Sequence, residues 1–108
     1  MKKPILDDYQ GEFSPINYHL AYAGLKIASG QDPVIDESVA YFVFDRGLIV
    51  QLAHDGISTR ARIQRTNSFI PKEVRKTFEN AGLEKVAKFK EPSRGQLIMG
   101  EGLVEAFP

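Results

Sequence analysis

The pattern of apolar and polar positions first predicts a helix from Ser14 to about Ser29. A serine side chain can cap the free amides of a first turn, and proline at the first helical position sacrifices no hydrogen bond. Gly30 follows, and glycine readily takes the left-handed conformation that closes a helix. Apolar residues wrap most of this segment, which is typical of a helix that is either central to its own domain or shared with a neighbour.

Three segments after Pro33 have the composition of β-strands. Residues 39–44 form a continuous run of β-branched and aromatic side chains, which is typical of a strand that is buried on both faces. Turn sequences at 45–47 and 54–57 separate this run from two further candidate strands, residues 48–52 and 58–64. The three segments together predict an antiparallel meander.

The register of the last hairpin decides which face of the sheet carries the arginines, because a slip of one residue inverts a whole strand. A two-residue turn at 55–56 is the strongest short hairpin signal. It keeps Arg60 and Arg62 off the apolar face, where unpaired charges would cost roughly several kcal/mol. The pairs that this turn predicts are Leu52 with Thr59, Val50 with Ala61, and Leu48 with Ile63. The arginines then share the opposite face with Ile49, Gln51, Tyr41 and Val43.

The remaining segments have weaker patterns. Helical spacing of Val74, Phe78 and Ala81 predicts a second helix after Pro71, closed by Gly82. Residues 83–90 alternate imperfectly and fit either a strand or a continuing irregular helix. A turn at 100–102 between two apolar segments predicts a hairpin over residues 97–107. Residues 1–13 mix charge, proline and glycine, which is typical of a flexible or packing N-terminal arm.

These elements predict an α+β fold, in which an antiparallel sheet packs with two helices in the order α-β-β-β-α-β-β. The sheet would consist of the three-stranded meander plus the C-terminal hairpin. At 108 residues, with 43% hydrophobic and 26% charged residues, we expect a single globular domain over 1–108. The absence of cysteine favours a cytoplasmic location. No apolar run approaches the roughly 18 residues of a membrane span, so we expect a soluble protein.

The charge of the chain is balanced overall but unevenly distributed. Fourteen Lys and Arg offset fourteen Asp and Glu, whereas the stretch from Arg60 to Arg94 carries ten basic residues against four acidic ones. These cations are either a solvated surface or a basic strand and helix that bind nucleic acid, with Tyr41 as a stacking ring. The candidate residues for nucleic-acid binding are Arg60, Arg62, Arg65, Lys72, Arg75 and Lys76.

Catalytic and metal-binding patterns are sparse. The only histidines are His19 and His54, and neither belongs to a metal-ligand spacing, so we predict no metal site and no cofactor. His54 is the one catalytic candidate, because it precedes Ser58 and Thr59 and lies close to the arginines. A small hydrolase such as a ribonuclease is therefore a second alternative, ranked below a non-catalytic protein.

The supply of apolar side chains favours a protein–protein interaction. A helix that is apolar nearly all round, together with the second sheet face, offers more hydrophobic surface than one small core needs. Either the N-terminal arm or the terminal hairpin covers that surface, or a partner does. We therefore predict a small intracellular binding or regulatory protein of the inhibitor, immunity or adaptor type, with self-association into a homodimer as the commonest arrangement. The predicted partner-binding residues are Tyr41, Ile49, Gln51, Arg60 and Arg62.

Overall fold

A computed structural model describes residues 3–66 and 69–87. These residues form two helices and a six-stranded antiparallel sheet. The α+β class is confirmed, although the chain enters the fold through a strand rather than a helix. The predicted hairpin at 97–107 lies outside the described residues. The elements are β1 Ile5–Glu12, α1 Pro15–Ser29, β2 Val34–Asp36, β3 Val39–Val43, β4 Ile49–His54, β5 Ser58–Arg65, α2 Lys72–Asn80 and β6 Glu84–Val86. The strands lie in the sheet in the order β2-β3-β4-β5-β1-β6.

Strand β1 lies where an N-terminal arm was predicted, and that prediction was wrong. The strand pairs along its whole length with β5, from Ile5 opposite Arg65 to Glu12 opposite Ser58, and its other edge pairs with β6. Its composition conceals it, because aspartate and glycine are depleted in strands. Gly11 has a specific reason to be there, since a Cβ at this position would collide with the Gly82 carbonyl oxygen.

Helix α1 begins and ends as the sequence predicts. The Ser14 hydroxyl accepts a hydrogen bond from the Asn17 amide at 3.0 Å, which caps the first turn. Gly30 closes the helix with a φ of 76°, and its amide donates to the Lys26 carbonyl oxygen. Local chemistry at both ends therefore sets the length of this helix.

Both helices pack on one side of the sheet, which we call the helix face. The core between them is formed by α1 and α2 side chains and by the even-numbered residues of β3 and β4 with the odd-numbered residues of β5. Val74, Phe78 and Ala81 of the second helix segment are buried there, as their spacing predicts. The core residues are Ala21, Leu25, Ala40, Phe42, Leu48, Val50, Leu52, Ala61, Ile63, Val74, Phe78, Ala81 and Leu83.

The turn between β4 and β5 differs from the predicted one. The Asp55 amide donates to the Ser58 carbonyl oxygen at 3.2 Å, so the turn is centred on residues 56 and 57, one position later than predicted. The Asp55 carboxylate accepts from the amides of Ile57 and Ser58 at 2.8 and 2.7 Å, which stabilises this turn. Val50 therefore pairs with Ile63 rather than Ala61. A shift of two residues preserves the faces, so the predicted placement of the arginines is confirmed.

The end of α2 settles the conformation at 84–86. Gly82 has a φ of 73°, and the Leu83 amide donates to the Phe78 carbonyl oxygen at 2.8 Å, the pattern of a helix closed by a left-handed glycine. The chain reverses there, and Glu84–Val86 pairs with β1 as the edge strand β6. Of the two conformations considered for this segment, the structure shows the strand.

Candidate functional site

The sheet face opposite the helices carries the five residues predicted for partner binding, and we call it the arginine face. Gln51, Arg60 and Arg62 are buried there, with only 1%, 2% and 8% of their surface exposed. Tyr41 and Ile49 are half-buried. The structure brings these residues together on neighbouring strands β3, β4 and β5 but leaves little of the three central side chains for a partner to contact.

A buried ion pair links β1 to β5 on the arginine face. Arg62 Nε lies 2.6 Å from Asp8 Oδ1, and Arg62 Nη2 lies 3.2 Å from Asp8 Oδ2. Two parallel bonds of this kind offset part of the cost of removing both charges from water. Sequence reasoning missed this pair because it assigned Asp8 to an arm, whereas the strand register places it directly opposite Arg62.

A second charged cluster lies on the helix face, centred on the buried carboxylate of Asp7. Arg65 Nε lies 2.9 Å from one carboxylate oxygen, and Lys85 Nζ lies 3.3 Å from the other. Burial acts to raise the pKa of Asp7, but the hydrogen bonds and charges of Arg65 and Lys85 outweigh it and hold this pKa below its ordinary value. The cluster joins β5, β1 and β6.

The six residues predicted for nucleic-acid binding do not form one surface. Arg60 and Arg62 are buried on the arginine face, and Arg65 is on the helix face in its ion pair with Asp7. The remaining three cations are exposed on α2, which packs against the helix face. The sheet therefore separates the two groups, and nucleic-acid binding would rest on the exposed trio Lys72, Arg75 and Lys76.

His54 is held by aromatic rings and by its own turn. Its ring stacks on Phe13 with centroids 4.1 Å apart and meets the edge of Tyr18 at 4.7 Å. Nδ1 accepts a hydrogen bond from the Gly56 amide at 3.2 Å. The buried Thr59 hydroxyl, which lies across the ladder from His54, has no hydrogen-bond partner among the described residues. The imidazole is therefore not positioned to take the proton of that hydroxyl, as an activated nucleophile would require.

Helix α1 carries two apolar stripes on opposite sides. Ala21 and Leu25 are fully buried in the core, whereas Ile16 and Ile27 are 74% and 80% exposed. A helix turns by about 100° per residue, so the exposed positions fall within about 60° of one another and opposite the core positions. We call this side of the helix the outer stripe. It consists of the exposed Ile16, Leu20 and Ile27 and of Ala23, which is half-buried.

The surroundings of the outer stripe limit its width. On one side α1 approaches α2 closely, since a Cβ at Gly24 would lie 2.6 Å from Thr77 Cγ2. On the other side are His19 and Lys26, and Lys26 Nζ forms an ion pair with Asp32 at 2.9 Å. Lys26 is the single charged side chain of the helix. The outer stripe is therefore an apolar ridge, and the charge of Lys26 beside it is already paired with Asp32.

The other features of the described residues give less support for a functional site. A cavity of about 590 Å³ lies between the end of α1 and the start of α2 and is lined by Phe44, Leu48 and Phe69 among others. Residues 3–66 and 69–87 contain no group of three histidine, aspartate or glutamate side chains that could hold a metal ion. No helix in the same ranges is long and apolar enough to cross a membrane.

Comparison with protein-family models, with curated proteins and with solved structures gives no match to this chain. The surfaces of the protein itself therefore provide the evidence for its function. Among them, the outer stripe places three large exposed apolar side chains, Ile16, Leu20 and Ile27, in a regular helical arrangement. Sequence reasoning recognised that α1 is unusually apolar but named the sheet face as the docking surface. A helical wheel separates the two stripes, although it does not indicate which of them faces the core.

Proposed function

We propose that this protein is a non-catalytic binding protein that acts through protein–protein contact, and that it docks through the outer stripe of α1. The observation that supports the proposal is the position of Ile16, Leu20 and Ile27 on the side of α1 that faces away from the core. Surface isoleucines occur singly in most proteins, whereas an ordered stripe of them marks an interaction site.

The energetics of burial support this use of the helix. Transfer of one large aliphatic side chain from water into an apolar contact is worth about 2 kcal/mol. Apolar anchors at spacings of four and seven residues are the pattern by which a helix docks in an apolar groove or against another helix. Ile16, Leu20 and Ile27 have this spacing, and the capped and closed helix holds them in place before a partner arrives.

The proposal moves the docking surface from the sheet to the helix. Burial of Gln51, Arg60 and Arg62 leaves the arginine face with a structural role in holding β1, β5 and β4 together. An inhibitor, immunity factor or adaptor is the class of protein that we propose, and this class is an analogy from size and from the lack of catalytic patterns. We place it in the cytoplasm because a cysteine-free small domain suits a reducing compartment.

Site-specific photo-cross-linking in cells of the native source tests the docking surface. A photoreactive residue at position 27 should give a covalent adduct with a protein, because Ile27 lies in the outer stripe. The control is the same residue at position 57, since Ile57 is also apolar and is 60% exposed but lies in the β4–β5 turn. Adducts at position 57 as abundant as those at 27, or none at 27, would contradict the proposal.

A further inference from the structure

The outer stripe has the spacing of a coiled-coil seam. Its members follow one another at intervals of four, three and four residues, which is the alternation of the two apolar positions in a heptad repeat. We infer that the partner of α1 is a second copy of this chain, with the two α1 helices packed antiparallel across a two-fold axis. The inference rests on the proposed function, because it names the partner of the same surface.

The sizes of the four side chains favour the antiparallel direction. A two-fold axis between Leu20 and Ala23 places Ile16 against Ile27 of the partner subunit, and Leu20 against Ala23 of the partner subunit. A large side chain then meets a small one at the centre, and two isoleucines meet at each end, so the ridge fills its own gaps. A parallel pair would set alanine against alanine and leave a void in the seam.

The charges beside the stripe permit two copies to approach. Lys26 is the single charged residue of α1, and Asp32 of the same chain neutralises it at 2.9 Å. Two copies of α1 therefore meet without an unpaired like charge, which would oppose association.

The area of the seam determines how tightly the two copies should associate. A standard interface buries about 800 Å² on each partner, whereas the outer stripe runs for about 17 Å of helix. The dimer should therefore be weak, with a dissociation constant on the order of ten micromolar. Association costs free energy, and only the free energy of burial in excess of that cost contributes to the affinity. A dimer of this strength would be mostly dissociated at low micromolar and mostly associated at high micromolar protein.

Sedimentation analysis of the intact chain from about 1 to 200 µM, a range set by that affinity, tests the partner. The wild type should approach twice its monomer mass at the upper end. Ile16→Glu and Ile27→Glu should each raise the dissociation constant at least about tenfold, because each buries a carboxylate against isoleucine. Ile57→Glu is the matched control and should behave as the wild type. Circular dichroism checks that each variant is folded. We expect all of them to fold, because the substituted side chains are exposed.

The direction of packing is tested by a charge exchange. The double variant Ile16→Glu, Ile27→Lys should form a dimer again, because the antiparallel register sets each glutamate against a lysine of the partner subunit. A parallel pair would set glutamate against glutamate and would stay dissociated, so failure of the double variant to associate overturns the antiparallel packing.

The cysteine-free chain allows a second test of the direction. A mixture of Ile16→Cys and Ile27→Cys should form an interchain disulfide under mild oxidation, whereas Ile16→Cys alone should not. Rapid self-cross-linking of Ile16→Cys alone would overturn the antiparallel register.

The two proposals fail in different ways. A wild type that remains monomeric up to 200 µM, or a dimer that Ile16→Glu and Ile27→Glu leave intact, overturns the inference. If position 27 nevertheless cross-links to a different protein, the proposed function stands and only its partner changes. If position 27 gives no adduct and the chain is monomeric, both are wrong.

Discussion

Buried charges are the residues that most constrain this fold. Asp8 and Arg62 lie in the sheet with side chains 9% exposed, and their bidentate contact joins β1 to β5 across 54 positions of sequence. Asp7 makes the corresponding connection on the helix face through Arg65 and Lys85. At the surface of the protein these aspartates would contribute little. Because their ion pairs are buried, they hold β1 in its place in the sheet.

Replacement of one member of the buried pair should destabilise the protein strongly. Asp8→Ala removes both hydrogen bonds that the Asp8 carboxylate accepts from the buried Arg62 guanidinium, so we expect a loss of about 3 to 5 kcal/mol in the free energy of unfolding. Urea denaturation measures this change. The double variant Asp8→Leu, Arg62→Met removes both charges and should recover most of the loss, and equal stability of the single and double variants would contradict the argument.

The pKa of Asp7 predicts a loss of stability in acid. Its pKa in the folded protein lies below the ordinary value of 3.8, so folding favours the charged form. This stabilisation is complete above the unfolded pKa and disappears as the pH falls through the folded pKa. Stability should therefore decline as the pH falls below about 4. Asp7→Asn should have a smaller slope of unfolding free energy against pH between about 2 and 5, and an unchanged slope would contradict the assignment.

Helix α1 shows how one element can serve two surfaces. Its ends are set locally by Ser14 and Gly30, and its polar positions are few enough for both sides to be apolar. The core uses the side with Ala21 and Leu25, which leaves the outer stripe on the opposite side. The length of the helix could therefore be predicted from sequence, whereas the choice of its buried side depended on the positions of the sheet and α2.

Two substitutions within one turn of α1 should have very different effects on stability. Leu25→Ala removes a fully buried side chain and should lower the unfolding free energy by about 2 to 5 kcal/mol. Ile27→Ala alters a side chain that is 80% exposed. It should change the unfolding free energy by less than about 0.5 kcal/mol when the protein is dilute and monomeric. Thermal and urea denaturation below 1 µM, well under the expected dissociation constant, compare the two. Similar losses would mean that the outer stripe is buried within its own chain.

At the scale of the whole molecule, β1 is the element that completes the sheet. It lies between β5 and β6, so β6 has no other neighbour among the described strands. Its position also explains why two of the predicted basic residues are not free to bind nucleic acid, because Arg62 and Arg65 of β5 pair with Asp8 and Asp7 of β1.

Removal of residues 1–12 should therefore unfold the protein or abolish its cooperative transition. An arm would be dispensable, but loss of β1 exposes the ladder of β5 and leaves Arg62 and Arg65 without Asp8 and Asp7. Far-UV circular dichroism and thermal unfolding of the truncated chain measure the effect. A truncated protein that melts cooperatively near the wild-type temperature would contradict the role assigned to β1.

The sequence by itself determined the features that depend on neighbouring residues. Caps and glycines bounded α1 and ended α2, and alternation separated the core side of β5 from Arg60 and Arg62. These signals act over a few residues, so they can be recognised from sequence alone. Even the error in the β4–β5 turn preserved the faces, because it displaced the register by two.

Only the tertiary structure decided the insertion of β1, the pairing of Asp7 and Asp8 with the arginines, and the side of α1 that remains exposed. Each of these depends on segments that are far apart in sequence, such as Asp8 and Arg62. Which segments pair depends on which of the alternative packings of the whole chain has the lowest free energy. Local propensity does not contain this information. The candidate docking surface belongs to this second group, since an apolar residue becomes a binding residue only when the core leaves it outside.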